Sequence, residues 1–207
     1  MGSEMCIRDS WLADELDLKY SHTEVGGRFG GNDSAEFLQM NPMGKVPVLR
    51  HADKVVWESN TIVRYLASCF SEGTWIASST FDRTLHERWM DWSVEKLEPA
   101  FVKVFWGYYR CPPDKRVHSA ISEGVDEFEK GLLQLAAQLA DKQYLLSDRP
   151  SVADIAIGVY LHRLWSIDLE IAFPDAVLAW YERLSQRPAY QRWVMSDFQE
   201  LQGRSDY

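Results

Sequence analysis

Two short stretches carry the chemistry that this chain can do: NPMGKVPVL (41–49) and WESNTIVRYL (57–66). Pro47 sits between two valines at the start of an apolar run. A proline inside a strand removes a ladder donor, so a strand containing one must compensate for it. Pro47 is then either an ordinary edge-strand proline or the second half of a cis Val46–Pro47 bond. The cis bond would turn the Val46 amide and carbonyl away from the sheet, toward an extended peptide ligand. Glu58-Ser59 follows about ten residues later, at the mouth of a helix. Ser59 reads as an N-cap, and a helix N-terminus offers free amides and a positive dipole end to an anion. Beside it, the Glu58 carboxylate can hold an ammonium group through a charge-assisted bond. Adjacent sites for a carboxylate and an ammonium suit the head of an α-amino acid.

These stretches need a scaffold. Trp11 to Leu16 reads as the end of a helix and Tyr20 to Val25 alternates as a strand. GGRFGGND (26–33), with four glycines in eight residues, must be a loop. Ser34 then caps a short helix over AEFLQM. VPVLRH (46–51) and KVVW (54–57) flank Ala52-Asp53 as a hairpin. Ser59 to Phe70 reads as a helix with Ile62, Leu66 and Phe70 on one face. Residues 1–70 are therefore expected to form an α/β domain, and the aperiodic segment 71–78 a linker.

Everything from residue 79 to 207 reads as helical. Leu85, Trp89, Trp92, Leu97, Phe101, Val104 and Phe105 form one stripe, which CPPDKR (111–116) interrupts. Ile121, Val125, Phe128, Leu132, Leu135 and Leu139 step by 4, 3, 4, 3 and 4, the signature of an amphipathic helix. SVADIAIGVYLHRLW (151–165) opens on a capping box of Ser151 and Asp154 and continues apolar all round, so it reads as a central, buried helix. Val177, Trp180 and Leu184 mark one more helix, ending near Arg187-Pro188. Trp106, Tyr109 and Trp165 are candidates for an apolar substrate wall, against the commoner use of such rings as core.

Composition excludes several classes. The 207 residues carry 22 basic and 31 acidic side chains, a net charge of −9, with no basic run for a nucleic-acid backbone. No apolar run approaches the roughly 18 residues of a membrane helix. Three scattered cysteines and five histidines show neither disulfide nor metal-ligand spacing. No metal, nucleic acid or membrane partner is expected, and a cytoplasmic location is.

MGKVPVL, VVWESNTIVRYLA and SVADIAIG, in that order, resemble the cytosolic glutathione transferase family, its bacterial members above all, from about Trp11 to Val194. The resemblance implies an α+β architecture: a thioredoxin-like N-terminal domain, an all-helical C-terminal domain, and a homodimer. It implies that the Val46 main chain, ahead of cis-Pro47, pairs with the cysteinyl part of glutathione. Glu58 and Ser59 would take the γ-glutamyl amine and carboxylate, Lys45 would lie near the acidic end of the tripeptide, and Arg28 near a carboxylate. Ser151 and Asp154 match a family motif concerned with folding.

Glutathione would be the co-substrate and a small hydrophobic electrophile its acceptor. Reduction, isomerisation or dehalogenation at the same site, or a non-catalytic regulatory or scaffold role, are the alternatives. The opening MGSEMCIRDS departs from the family pattern and resembles a translated adapter tail, so an altered start is expected, with the first strand in doubt. Glu4 to Ile7 could pair as a shortened strand. The catalytic residue is not identifiable: Ser10, the one nearby hydroxyl, reads as a cap, and Cys6 is a weaker candidate.

Overall fold

The computed structural model describes residues 6–204. Helix α1 (Ile7–Glu15) buries Ile7, Trp11, Leu12 and Ala13. The glycine-rich loop follows, with a short 3-10 turn at Gly27–Phe29. Helix α2 (Ala35–Met40) starts where expected, with the Phe37 amide donating to Ser34 Oγ at 3.2 Å. Strands β1 (Val48–His51) and β2 (Lys54–Trp57) form an antiparallel hairpin in which Val48 faces Trp57 and His51 faces Lys54. Helix α3 (Ser59–Phe70) turns Ile62, Val63, Leu66 and Ala67 inward, against α1 and the later helix α7 (Val152–Gly158).

Two expectations change here. Tyr20–Val25 is no strand: it has no ladder partner among the described residues, and unpaired extended chain gains nothing to offset its ordering. Side chains tie that segment down instead. The Tyr20 hydroxyl donates to Asp14 at 2.8 Å, and the His22 ring meets the edge of Trp193 at 5.6 Å. Phe70, at the end of the face that Ile62 and Leu66 share, is 40% exposed, with its ring 5.4 Å from that of His51. Ile7 belongs to α1 rather than to a substitute strand, and residues 1–5 lie outside the described residues.

The linker of the sequence reading is anchored: Trp75 and Ile76 are buried, and the Val152 amide donates to the Trp75 carbonyl at 3.0 Å. Helix α4 (Thr80–Trp92) then runs through a π-helical turn (Ser93–Leu97), α5 (Glu98–Val104) and a second π turn (Phe105–Arg110). The apolar stripe steps by five residues from Trp92 to Leu97, one more than the three or four that keep a face in a regular α-helix. The first π turn absorbs the extra residue and keeps Leu97 facing the core. Helix α6 (His118–Leu139) buries Ile121, Phe128, Leu132, Leu135 and Leu139 against α5 and α9 (Asp175–Ser185), with Val125 half-buried. Gly124 is required at that crossing, since a Cβ there would stand 2.6 Å from Lys103 Cβ.

The SVADIAIG segment is central, as its composition demands: every residue of α7 is buried. It ends at Gly158, and α8 (Leu161–Trp165) restarts the chain after a turn. Helix α10 (Pro188–Trp193) packs back on α1. The capping box at Ser151 closes in both directions. Asp154 is the hub beneath it, accepting from the Ser151 amide (2.8 Å), Ser151 Oγ (2.9 Å), the Leu145 amide (3.0 Å) and Trp180 Nε1 (3.1 Å). Burial pushes its carboxyl up to about 6, and these donors oppose the shift.

A cavity of about 920 Å³ opens between α1, α2, the hairpin and α3, lined by Asp9, Ser10, Ala13, Pro47, Ile62 and Leu66 among others. Asp9 Oδ1 is buried without a hydrogen-bond partner. Burial pushes this carboxyl up to about 7, against the pull of its own backbone amide and the Arg8 charge.

Two predictions follow from these carboxyls. Replacing Asp154 by Ala strands three buried N–H donors, at about 1 to 3 kcal/mol each. Urea unfolding of Asp154→Ala should therefore show a loss of at least about 3 kcal/mol. Asp9 holds its proton in the folded state and loses it near pH 4 when unfolded. Its penalty is thus absent below about pH 4 and complete above about pH 7, where it amounts to about 2 to 4 kcal/mol. Asp9→Leu should raise the melting temperature more at pH 8 than at pH 5, checked by circular dichroism.

Candidate functional site

The site grows from the turn that delivers Pro47. Asn41 is buried, and its side chain bridges that turn: Oδ1 accepts from the Met43 amide (3.0 Å) and Nδ2 donates to the Lys45 carbonyl (2.7 Å). Asn32 Nδ2 donates to the Gly44 carbonyl at 2.8 Å. Gly44 has φ +62°, and a Cβ there would stand 3.2 Å from the Asn32 carbonyl oxygen, so glycine is needed on both counts. The Val46–Pro47 peptide is cis. Val46 stands outside the β1–β2 ladder, which begins at the Val48–Trp57 pair.

That pairing also places the second stretch. With Val48 opposite Trp57, the residues just before β1 and just after β2 leave the same end of the hairpin. Val46-Pro47 and Glu58-Ser59 are those residues. Glu58 has φ +69° and ψ +121°, a left-handed conformation rare for a side-chain-bearing residue, and it breaks β2 into α3 without an intervening loop. The carbonyl of Glu58 accepts the first helical bond, from the Ile62 amide at 2.9 Å. This corrects the expected cap. Glu58 occupies the N-cap position with no side-chain cap bond, and Ser59 is the first helical residue.

The Ser59 hydroxyl is engaged from outside α3. Arg8 Nη1, from the first turn of α1, donates to Ser59 Oγ at 3.2 Å. Arg8 Nε donates to the Ala156 carbonyl at 3.3 Å and Nη2 to the Tyr160 hydroxyl, so one guanidinium joins α1, α3 and α7. Sequence reasoning missed Arg8 altogether. Its partners lie 51, 148 and 152 residues away, and no local pattern announces them.

The remaining candidates are dispersed. Lys45 is exposed on the approach to Val46. Arg28 pairs with Glu200 at 2.7 Å on the surface. Ser10 is not a cap: it lies within α1, buried, and lines the cavity, as does Cys6 at the N-cap position before α1. Tyr109 stacks on Phe105 and meets Phe198, while Trp106 lies under the Arg110 guanidinium at 3.8 Å. Trp165 packs half-exposed on Phe173 and Tyr181. Tyr109 and Trp165 are linked through a chain of rings, Phe198, His162 and Tyr181. None of Trp106, Tyr109 and Trp165 lines the cavity beside Pro47. Burial in that chain of rings pushes the His162 imidazole down to about 4, so it is neutral near pH 7, with its Nδ1 2.9 Å from the Tyr181 hydroxyl.

Comparison with known proteins puts this geometry in a family. The model of the glutathione S-transferase N-terminal domain matches residues 1–68, and that of the C-terminal domain residues 119–194. Nothing in the match sets the first residues apart. Glutathione S-transferase GstB of Escherichia coli strain K12 is 36% identical over 184 residues, covering 88% of each chain. The theta class glutathione S-transferase of Xanthomonas axonopodis pv. citri, solved with glutathione bound, superposes with a TM-score of 0.88 at 36% identity, over 94% of each chain. Elongation factor 1-gamma 3 of Oryza sativa subsp. japonica is 29% identical over 97% of this chain but only 48% of its own length. With its thioredoxin-like N-terminal domain and all-helical C-terminal domain, the chain belongs to the glutathione S-transferase family.

Proposed function

We propose that this protein is a glutathione transferase of detoxification, working in the cytoplasm as a homodimer, which joins the thiol of glutathione to a small hydrophobic electrophile. The observation that carries the reading is the hairpin register, which sends Val46-Pro47 and Glu58-Ser59 out of one end of β1–β2 beside the N-terminus of α3. A tripeptide with an amino-acid head fits that arrangement. The Val46 amide and carbonyl pair with its cysteinyl residue in the manner of an added strand. Glu58 takes the γ-glutamyl ammonium, and Ser59 with the first amides of α3 takes the γ-glutamyl carboxylate. Lys45 lies toward the glycyl carboxylate.

In the reaction the thiol loses its proton, the sulfur pair forms a C–S bond, and the leaving group departs with the bonding pair. A free thiol is only about 3% thiolate at pH 7, so lowering its pKa by roughly two units contributes about 2.7 kcal/mol. No side chain of this site is assigned that task.

Titration calorimetry with glutathione tests the reading. The protein should bind, and Glu58→Gln or Ser59→Ala should each weaken binding about tenfold, the worth of one charged hydrogen bond. Binding unchanged by either substitution would refute it, and a folded protein that binds no glutathione would favour a scaffold role. Glu58→Gly separates function from strain. It removes the carboxylate but suits the left-handed backbone, which costs a non-glycine residue about 1 to 3 kcal/mol. Its melting temperature should match or exceed that of the parent while its affinity falls as in Glu58→Gln.

A further inference from the structure

We propose that Arg8 is a binding residue for the γ-glutamyl α-carboxylate, holding it jointly with Ser59; the proposal rests on the glutathione reading above. Arg8 leaves the first turn of α1 half-buried and reaches Ser59 Oγ, the Ala156 carbonyl and the Tyr160 hydroxyl. The guanidinium carbon lies 5.0 Å from the centre of the Tyr160 ring. An arginine has five N–H donors in a planar fork, and these three bonds leave two for a ligand.

Among the described residues no carboxylate forms an ion pair with Arg8 within 4.0 Å. Asp9, its chain neighbour, is held toward the protonated form by burial, and Glu98 meets the Tyr160 hydroxyl instead. A half-buried guanidinium with two spare donors favours an anion that completes them. The same guanidinium touches Ser59, the first residue of a 12-residue helix whose N-terminal amides carry partial positive charge. Guanidinium, hydroxyl and helix end thus converge on one point. A carboxylate is the anion whose planar pair of oxygens matches the guanidinium fork. Glu58, one residue away, suits the ammonium that accompanies such a carboxylate in an α-amino acid. Arg8 supplies fixed charge where Ser59 alone offers only a hydroxyl.

A purely structural role, tying α1 to α7 and Tyr160, would make different demands, and the test separates the two. Affinities for glutathione and for γ-aminobutyryl-cysteinyl-glycine, which lacks only that carboxylate, are measured by calorimetric titration and displacement on the parent protein, Arg8→Gln and Arg8→Lys. Circular dichroism checks each fold. The preference of the parent protein for glutathione over the analogue should fall about tenfold in Arg8→Gln and by less in Arg8→Lys, with analogue affinity unchanged. A preference that survives in Arg8→Gln, whether its two affinities hold or fall together, overturns the proposal and leaves Arg8 as a tie. If Arg8→Gln does not fold, an Arg8→Lys preference equal to that of the parent, with both affinities reduced alike, likewise counts against it. Failure of the parent protein to bind glutathione at all would instead defeat the functional reading on which the proposal stands.

Discussion

The register of one hairpin of two four-residue strands governs this site. Because Val48 faces Trp57, the turn that delivers Pro47 and the strand end that delivers Glu58 are held together by ladder bonds rather than by side chains that could wander. A slip of one residue would turn every side chain of β2 to the other face and move Glu58-Ser59 away from Val46. Two short strands do not hold a register alone. Here the constraint comes from both flanks: Asn41 and Asn32 pin the incoming turn through their amide side chains, and α3 continues directly from β2 and sinks its apolar face into the core.

That core is shared between the two halves of the chain, so the binding end is supported from a distance. Trp11 of α1 is fully buried against the end of α7, close enough to Gly158 that a Cβ there would stand 3.1 Å from its ring. The Tyr190 hydroxyl donates to the Gly158 carbonyl at 2.9 Å, joining α10 to the same point. Two residues earlier in α7, the Ala156 carbonyl accepts from Arg8. The central helix therefore positions α1, and α1 presents Arg8 to Ser59. Asp154 fixes where that helix begins, by binding the loop at Leu145 and the indole of Trp180 together with its own cap.

Much of this was legible in the sequence wherever the physics is local. A proline between two valines required compensation, and the cis peptide is found there. Ala52-Asp53 between two apolar runs marked the hairpin, and the Ser151–Asp154 spacing marked the start of the buried helix. The π turn at Ser93–Leu97 was not foreseen, although the stripe steps by five residues from Trp92 to Leu97. The cap at Glu58 was not legible, because its left-handed backbone is imposed by the junction of strand and helix and is contrary to its residue type. Arg8 was invisible for a different reason: its importance lies entirely in contacts made across the fold. The Tyr20–Val25 segment shows the converse, an alternating pattern for which the described residues provide no ladder partner.

The account stands on glutathione occupying the end of this hairpin, and an amide correlation spectrum of the 15N-labelled protein, titrated with glutathione, tests that directly. The amides of Val46, Glu58, Ser59 and Ile62 should shift together and saturate with a single affinity. Saturable shifts confined to another face, with these four unmoved, would contradict the account.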